Sequence, residues 1–178
     1  MKIASTLFQP VRRLAVGLLV ISNVKAQQSS PARWPSFSDQ GIIIDKETAT
    51  WNPTNEFIFP SIFHAGQHLT DPLGEWYLYY SLRTNAQVAS STPATPIVRN
   101  DWVPHYNVSH VSSPDAIWNS EAGAVFLYFH GENSHARLAS SPDALAFEYG
   151  GKAVDNAMGG ANVTETSYAR VFPHPERG

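Results

Sequence analysis

The chain has 178 residues, of which 43% are apolar and 12% aromatic, and it contains no cysteine, so disulfides contribute nothing to its stability. Lys2, Arg12, Arg13 and Lys25 lie in the first 26 residues; 12 basic residues less those four leaves 8 against 15 acidic ones, a net charge of −7. An acidic surface without a basic stripe excludes nucleic acid as the expected partner.

Residues 1–26 read as a signal peptide. Positive charge from Lys2, Arg12 and Arg13 precedes an apolar run from Leu14 to Ile21, and Val24 and Ala26 put small residues at the −3 and −1 positions of a cut before Gln27. The run is far shorter than the roughly 20 residues that span a bilayer. A secreted, extracellular location with no membrane association after cleavage is the expectation. Asn107-Val108-Ser109 and Asn162-Val163-Thr164 are N-glycosylation sequons, in competition with chance occurrence.

Residues 27–50 form a polar, extended lead-in, with Gly41-Ile42-Ile43-Ile44-Asp45 a short strand within it. The informative part starts in the region 51–178. Phe59-Pro60-Ser61-Ile62-Phe63 is followed by Glu75-Trp76-Tyr77-Leu78-Tyr79-Tyr80, dense in β-favouring aromatics. The pattern returns as Ser113-Pro114-Asp115-Ala116-Ile117-Trp118, a turn over 119–123, and Ala124-Val125-Phe126-Leu127-Tyr128-Phe129-His130. Arg137 to Ser141 reads as a third strand and Leu145 to Tyr149 as a fourth. Residues 83–100 carry no good strand pattern. A third start is Tyr168-Ala169-Arg170-Val171-Phe172-Pro173. Anchored on Ile62-Phe63, Ile117-Trp118 and Val171-Phe172, the spacings are 55 and 54 residues. Such a period, with several strands per repeat and no sustained helical periodicity, predicts an all-β array of the propeller kind.

These segments resemble the five-bladed β-propeller glycoside hydrolases, of the family 43 arabinanase and xylosidase type, in the superfamily that includes invertase and levansucrase. Phe59 to Phe63 with Gly74 to Tyr80 looks like the first blade and Ser113 to Trp118 with Val125 to Phe129 like the second. Ala139-Ser140-Ser141-Pro142-Asp143 with Phe147 is similar to the closing hairpin of such blades. The resemblance covers about residues 51–175. It implies a partial five-bladed propeller with blade 1 over 56–105, blade 2 over 110–160 and the start of blade 3 over 165–178, as expected of a truncated N-terminal portion. It also implies hydrolysis of O-glycosyl bonds in extracellular or plant cell-wall polysaccharide. The residues themselves call for no cofactor and assign no metal ligands, and bound calcium is left open.

Glycoside hydrolysis needs two carboxyl groups flanking the scissile bond. The resemblance assigns Asp115 the place of the carboxylate that tunes the acid; a turn-capping Asp is the competing reading. Glu165 falls near the general acid, although the family's Gly-Pro pair is missing after it, where this chain reads Thr166-Ser167-Tyr168; a solvated strand-edge Glu is the competing reading. The family's first-blade base is an Asp before the proline, where this chain has Phe59; Glu56 is the nearest replacement. Losing the base removes a contribution of about 10²–10⁴-fold. His130, Glu132, Arg170 and Trp118 are the substrate-binding candidates, competing with ordinary packing roles. His64 and His68 are expected in a turn, not as a metal pair. A non-catalytic carbohydrate-binding propeller and a non-functional product are the alternatives to the hydrolase.

Overall fold

The structure, a computed structural model, describes residues 36–42, 57–81, 88–89 and 96–174. The expected signal peptide, most of the lead-in and Glu56 lie outside them. The chain divides into two compact units at Asp39 and Gln40. Of the first, only residues 36–39 are described, and they are exposed and form neither helix nor strand.

The second unit is all-β, with two antiparallel sheets. Strand β1 (Ile58–Phe63), a one-turn helix α1 (Ala65–His68), β2 (Tyr77–Ser81) and the two-residue β3 (Val88–Ala89) come first, and the sheet runs β1-β2-β3. Strands β4 (Ser112–Asn119), β5 (Ala124–Glu132), β6 (His135–Ser141) and β7 (Glu148–Asp155) form the second sheet, in chain order. Each pair of neighbours in this second sheet is joined by a short connection, as antiparallel pairing allows.

Alternation explains why these segments are strands. In β5, Val125, Leu127 and Phe129 are buried while Phe126 and Tyr128 on the other face are half-buried. In β2, Tyr77 and Tyr79 are buried and Leu78 is half-buried. The β6–β7 turn is organised by Asp143, whose Oδ1 accepts from Leu145 N (2.9 Å), Ala146 N (2.8 Å) and Ser141 Oγ (2.7 Å). Those bonds hold 145–147 in the turn, so the fourth strand starts at Glu148 and not at the expected Leu145.

The repeat is written in the backbone. Phe59, Ser113 and Tyr168 all have left-handed φ values, 53°, 52° and 58°. They lie 54 and 55 residues apart along the chain. Phe59 and Ser113 each precede a proline and sit in a register shift of the sheet, between Ile58 and Ser61 and between Ser112 and Asp115. Ser61 then faces Tyr79 across its strand pair, as Asp115 faces Tyr128. This corrects the expected alignment by one residue: Ile62-Phe63 corresponds to Ala116-Ile117, not to Ile117-Trp118. Apolar pairs are poor anchors because one lies at almost every strand position here, whereas a bulge has one place.

β1 and β2 pack against β4. The core between the sheets includes Phe63, Tyr77, Tyr79, Val98, Val111, Val125, Leu127 and Phe129. Tyr79 is fully buried, and its hydroxyl donates to Ala144 O (2.8 Å), which ties the first sheet to the β6–β7 turn of the second. Its counterpart Tyr128 lies on the opposite, half-buried face of its own sheet. The two repeats therefore stack in the same sense, the face of one on the reverse face of the next. The segment Tyr168–Pro173, expected as a strand, pairs with no strand among the described residues; it is held against β4 by a side chain instead.

Candidate functional site

The left-handed starts of the repeats gather a set of polar and aromatic groups. Phe59 meets the Tyr168 ring edge-on, with centroids 5.3 Å apart. Tyr168 also lies edge-on to His130 (4.9 Å), and His130 edge-on to His110 (5.6 Å). The approach of the His110 loop depends on Gly131. A Cβ there would lie 3.0 Å from His110 O and 2.7 Å from Val108 Cγ2, so any other residue would force the Val108–His110 loop or the Val108 side chain to shift.

His130 is the buried centre of this set, 2% exposed. Tyr168 N donates to its Nδ1 (3.3 Å), so the neutral ring carries its proton on Nε2. Burial, and then the neighbouring His110, push its pKa down to about 4; Glu165 pulls weakly the other way. At neutral pH His130 is thus an uncharged donor. Glu165 itself is exposed and accepts from Ser167 Oγ. Its segment is pinned to the β5–β6 connection by Thr166 N donating to Asn133 O (2.8 Å). The structure accordingly brings Glu165 into the neighbourhood of His130, which sequence spacing could not show.

Asp115 lies in β4, not in a capping turn, and both of its oxygens are engaged. Ser61 Oγ approaches Oδ1 at 3.4 Å, and Val171 N donates to Oδ2 at 2.6 Å. Ser61 Oγ in turn accepts from Ala116 N (3.1 Å). One carboxylate therefore links β1, β4 and the Tyr168–Pro173 segment.

The remaining expected residues are spread out. Glu132 forms a two-point ion pair with Arg137, one bond of 2.7 Å, and the hydrogen bond from that guanidinium holds its carboxyl below the usual range. Arg137 is buried and lies 4.7 Å over the Tyr106 ring. Arg170 is exposed, donates to Ala169 O (2.9 Å) and borders a cavity of about 290 Å3 with Tyr128 and Thr166. Trp118 is half-buried, stacks on His68 (5.2 Å) and borders a second cavity, of about 360 Å3, with Glu121, Tyr128 and Phe172. Asn107 and Asn162 are both exposed and outside helix and strand.

Sequence reasoning missed a second constellation. His64, the residue before α1, pairs with Glu75 and stacks on Trp76, while His68, inside α1 and not in a plain turn, stacks between Phe63 and Trp118. No spacing rule connects His64 to Glu75; the loop between α1 and β2 does. Among the described residues no group of three metal-ligating side chains comes together, and no helix is long and apolar enough to cross a membrane.

No protein-family model, curated protein or solved structure matches the chain. The class defined by fold and site together is an all-β protein of stacked antiparallel sheets, with an imidazole, aromatic and carboxylate cluster where its repeats begin.

Proposed function

We propose that this is a secreted carbohydrate-binding protein of the five-bladed propeller glycosidase type, its repeats being the first blades of such a ring and its ligand an extracellular or plant cell-wall polysaccharide. The observation that carries the reading is the cluster built on His130, with His110 and Tyr168 against its ring, Glu165 nearby and Phe59 against Tyr168. Sugars are recognised by hydrogen bonds to hydroxyls beside apolar surface. An exposed carboxylate and two partly exposed aromatic rings supply both, and the buried imidazole holds Tyr168 in place.

Binding is favoured over hydrolysis for two reasons. Phe59 stands where the resembled enzymes have their base, and a phenyl ring takes no proton from water. Asp115 gives both oxygens to the protein interior, to Ser61 and Val171 N–H. Hydrolysis is the second reading, supported by Glu165, an exposed carboxylate beside a buried imidazole.

One experiment separates them: the full chain is applied to a glycan array and, in parallel, assayed for reducing-sugar release from the same glycans. Binding without release is expected, with Tyr168→Ala weakening it about tenfold, the scale of losing one aromatic anchor. Absence of binding to every glycan would sink the proposal. Sugar release abolished by Glu165→Gln would replace it with the hydrolase.

A further inference from the structure

At the far end of β1 from Phe59, a tryptophan stands on the surface with its back supported. Trp76 is 57% exposed, although it belongs to a loop next to the core residue Tyr77. The His64 ring lies beneath it, with centroids 3.9 Å apart and planes only 14° from parallel. One indole face is thus covered by an imidazole, which leaves the other to solvent.

The support is itself fixed. His64 Nε2 is bonded to Glu75 Oε1, and Gly66 N donates to Glu75 O (3.1 Å), which fastens the Glu75-Trp76 loop to α1. Gly66 makes the arrangement possible: a Cβ there would fall 2.5 Å from Glu75 Oε2 and expel the carboxylate. An unsupported surface tryptophan samples several rotamers and loses their entropy on binding; this one is pre-organised.

We propose that Trp76, backed by His64 and flanked by Glu75, is a stacking platform for a pyranose ring of a β-linked polysaccharide, distinct from the cluster around His130. Pyranoses with equatorial hydroxyls present a flat C–H face, which matches the open indole, and ring-edge hydroxyls, which a carboxylate oxygen accepts. Glu75 Oε1 is committed to His64, and Oε2 remains as the acceptor. The ligand class rests on the carbohydrate reading above, while the site does not share a residue with it. Phe59 and His64, one at each site, stand five residues apart along the chain, roughly 16 Å at about 3.3 Å per residue. Two contacts so far apart suit a polymer better than a single sugar.

The test is titration calorimetry of the full chain with cellohexaose and xylohexaose. The wild type is expected to bind at least one, Trp76→Ala to bind it at least about tenfold more weakly, and Trp76→Tyr, which keeps a flat ring, to recover most of the loss. A thermal melt of each variant accompanies the titrations, and Trp76→Tyr serves as the folded comparison should Trp76→Ala melt early. The platform is refuted if the wild type binds neither oligosaccharide, if Trp76→Ala binds like the wild type, or if Trp76→Tyr is no better than Trp76→Ala. Tyr168→Ala in the same titration keeps the two ideas apart. Loss in Tyr168→Ala alone keeps the His130 site and removes the platform, and loss in Trp76→Ala alone does the reverse.

Discussion

The two sheets start alike and end differently. Each opens with a left-handed residue, a proline and a bulge, at Phe59-Pro60 and Ser113-Pro114. The second then runs to four strands, whereas the described part of the first has three, the last of only two residues. At the position after the proline, the first sheet has Ser61 and the second Asp115, and these two side chains meet. The lesson is that the repeat preserves backbone geometry at strand starts while the side chains there diverge to bind one another. The carboxylate that the resemblance marks for catalysis serves here as part of the joint between repeats.

The sharpest way to break this comparison is through the core. Leu78 and Leu127 hold equivalent places, each one residue before the tyrosine that faces Ser61 or Asp115. Leu127 is fully buried between the sheets and Leu78 is only half-buried on the outer face. Leu127→Ala is expected to cost about 3 kcal/mol and Leu78→Ala about 1 kcal/mol or less in chemical denaturation. Equal losses would contradict same-sense stacking.

The second prediction concerns His130. Its folded pKa of about 4 lies below the ordinary 6.5, so the unfolded chain binds the proton first. Stability is complete above pH 6.5, falls as pH drops towards 4, and loses nothing further from this group below that. The total is about 3 kcal/mol, because each tenfold loss of proton affinity on folding corresponds to roughly 1.4 kcal/mol. Denaturation midpoints measured from pH 7 to 4 should show that slope in the wild type and a shallower one in His130→Gln. Identical slopes would mean that His130 is not buried in its neutral form.

The smallest effect sharpens the joint itself. Asp115→Ala should cost about 2 kcal/mol, because it leaves Val171 N without its charged acceptor, and Ser61→Ala about 1 kcal/mol. As the two touch, the double variant should cost less than both losses combined. Strict additivity in that cycle would show that Ser61 and Asp115 act separately.

The all-β class was legible because alternation of Val, Leu, Phe and Tyr along 124–129 is a local, period-two signal. The repeat was legible for the same reason, since the starts at Phe59 and Ser113 are each followed by aromatic-rich strands. Its register was not: a bulge shifts the pairing by one residue, and hydrogen bonds to the next strand, absent from any local pattern, decide where it falls. The candidate site shows the same division. Asp115, His130 and Glu165 could each be picked out by residue type and place in the repeat. That Asp115 is bound on both sides, that Glu132 belongs to Arg137, and that Glu75 supports His64 under Trp76 depend on which loops meet.

The sequence by itself determined the all-β character, the period near 55 residues of its aromatic-rich segments and the absence of disulfides, all properties of neighbouring residues or of counting. Only the tertiary structure decided which faces stack, which carboxylates are engaged inside the protein, and which tryptophan is held open on a supporting ring. Those outcomes turn on contacts between residues far apart in the chain, and side-chain chemistry alone does not specify which of several possible partners a loop will bring within reach.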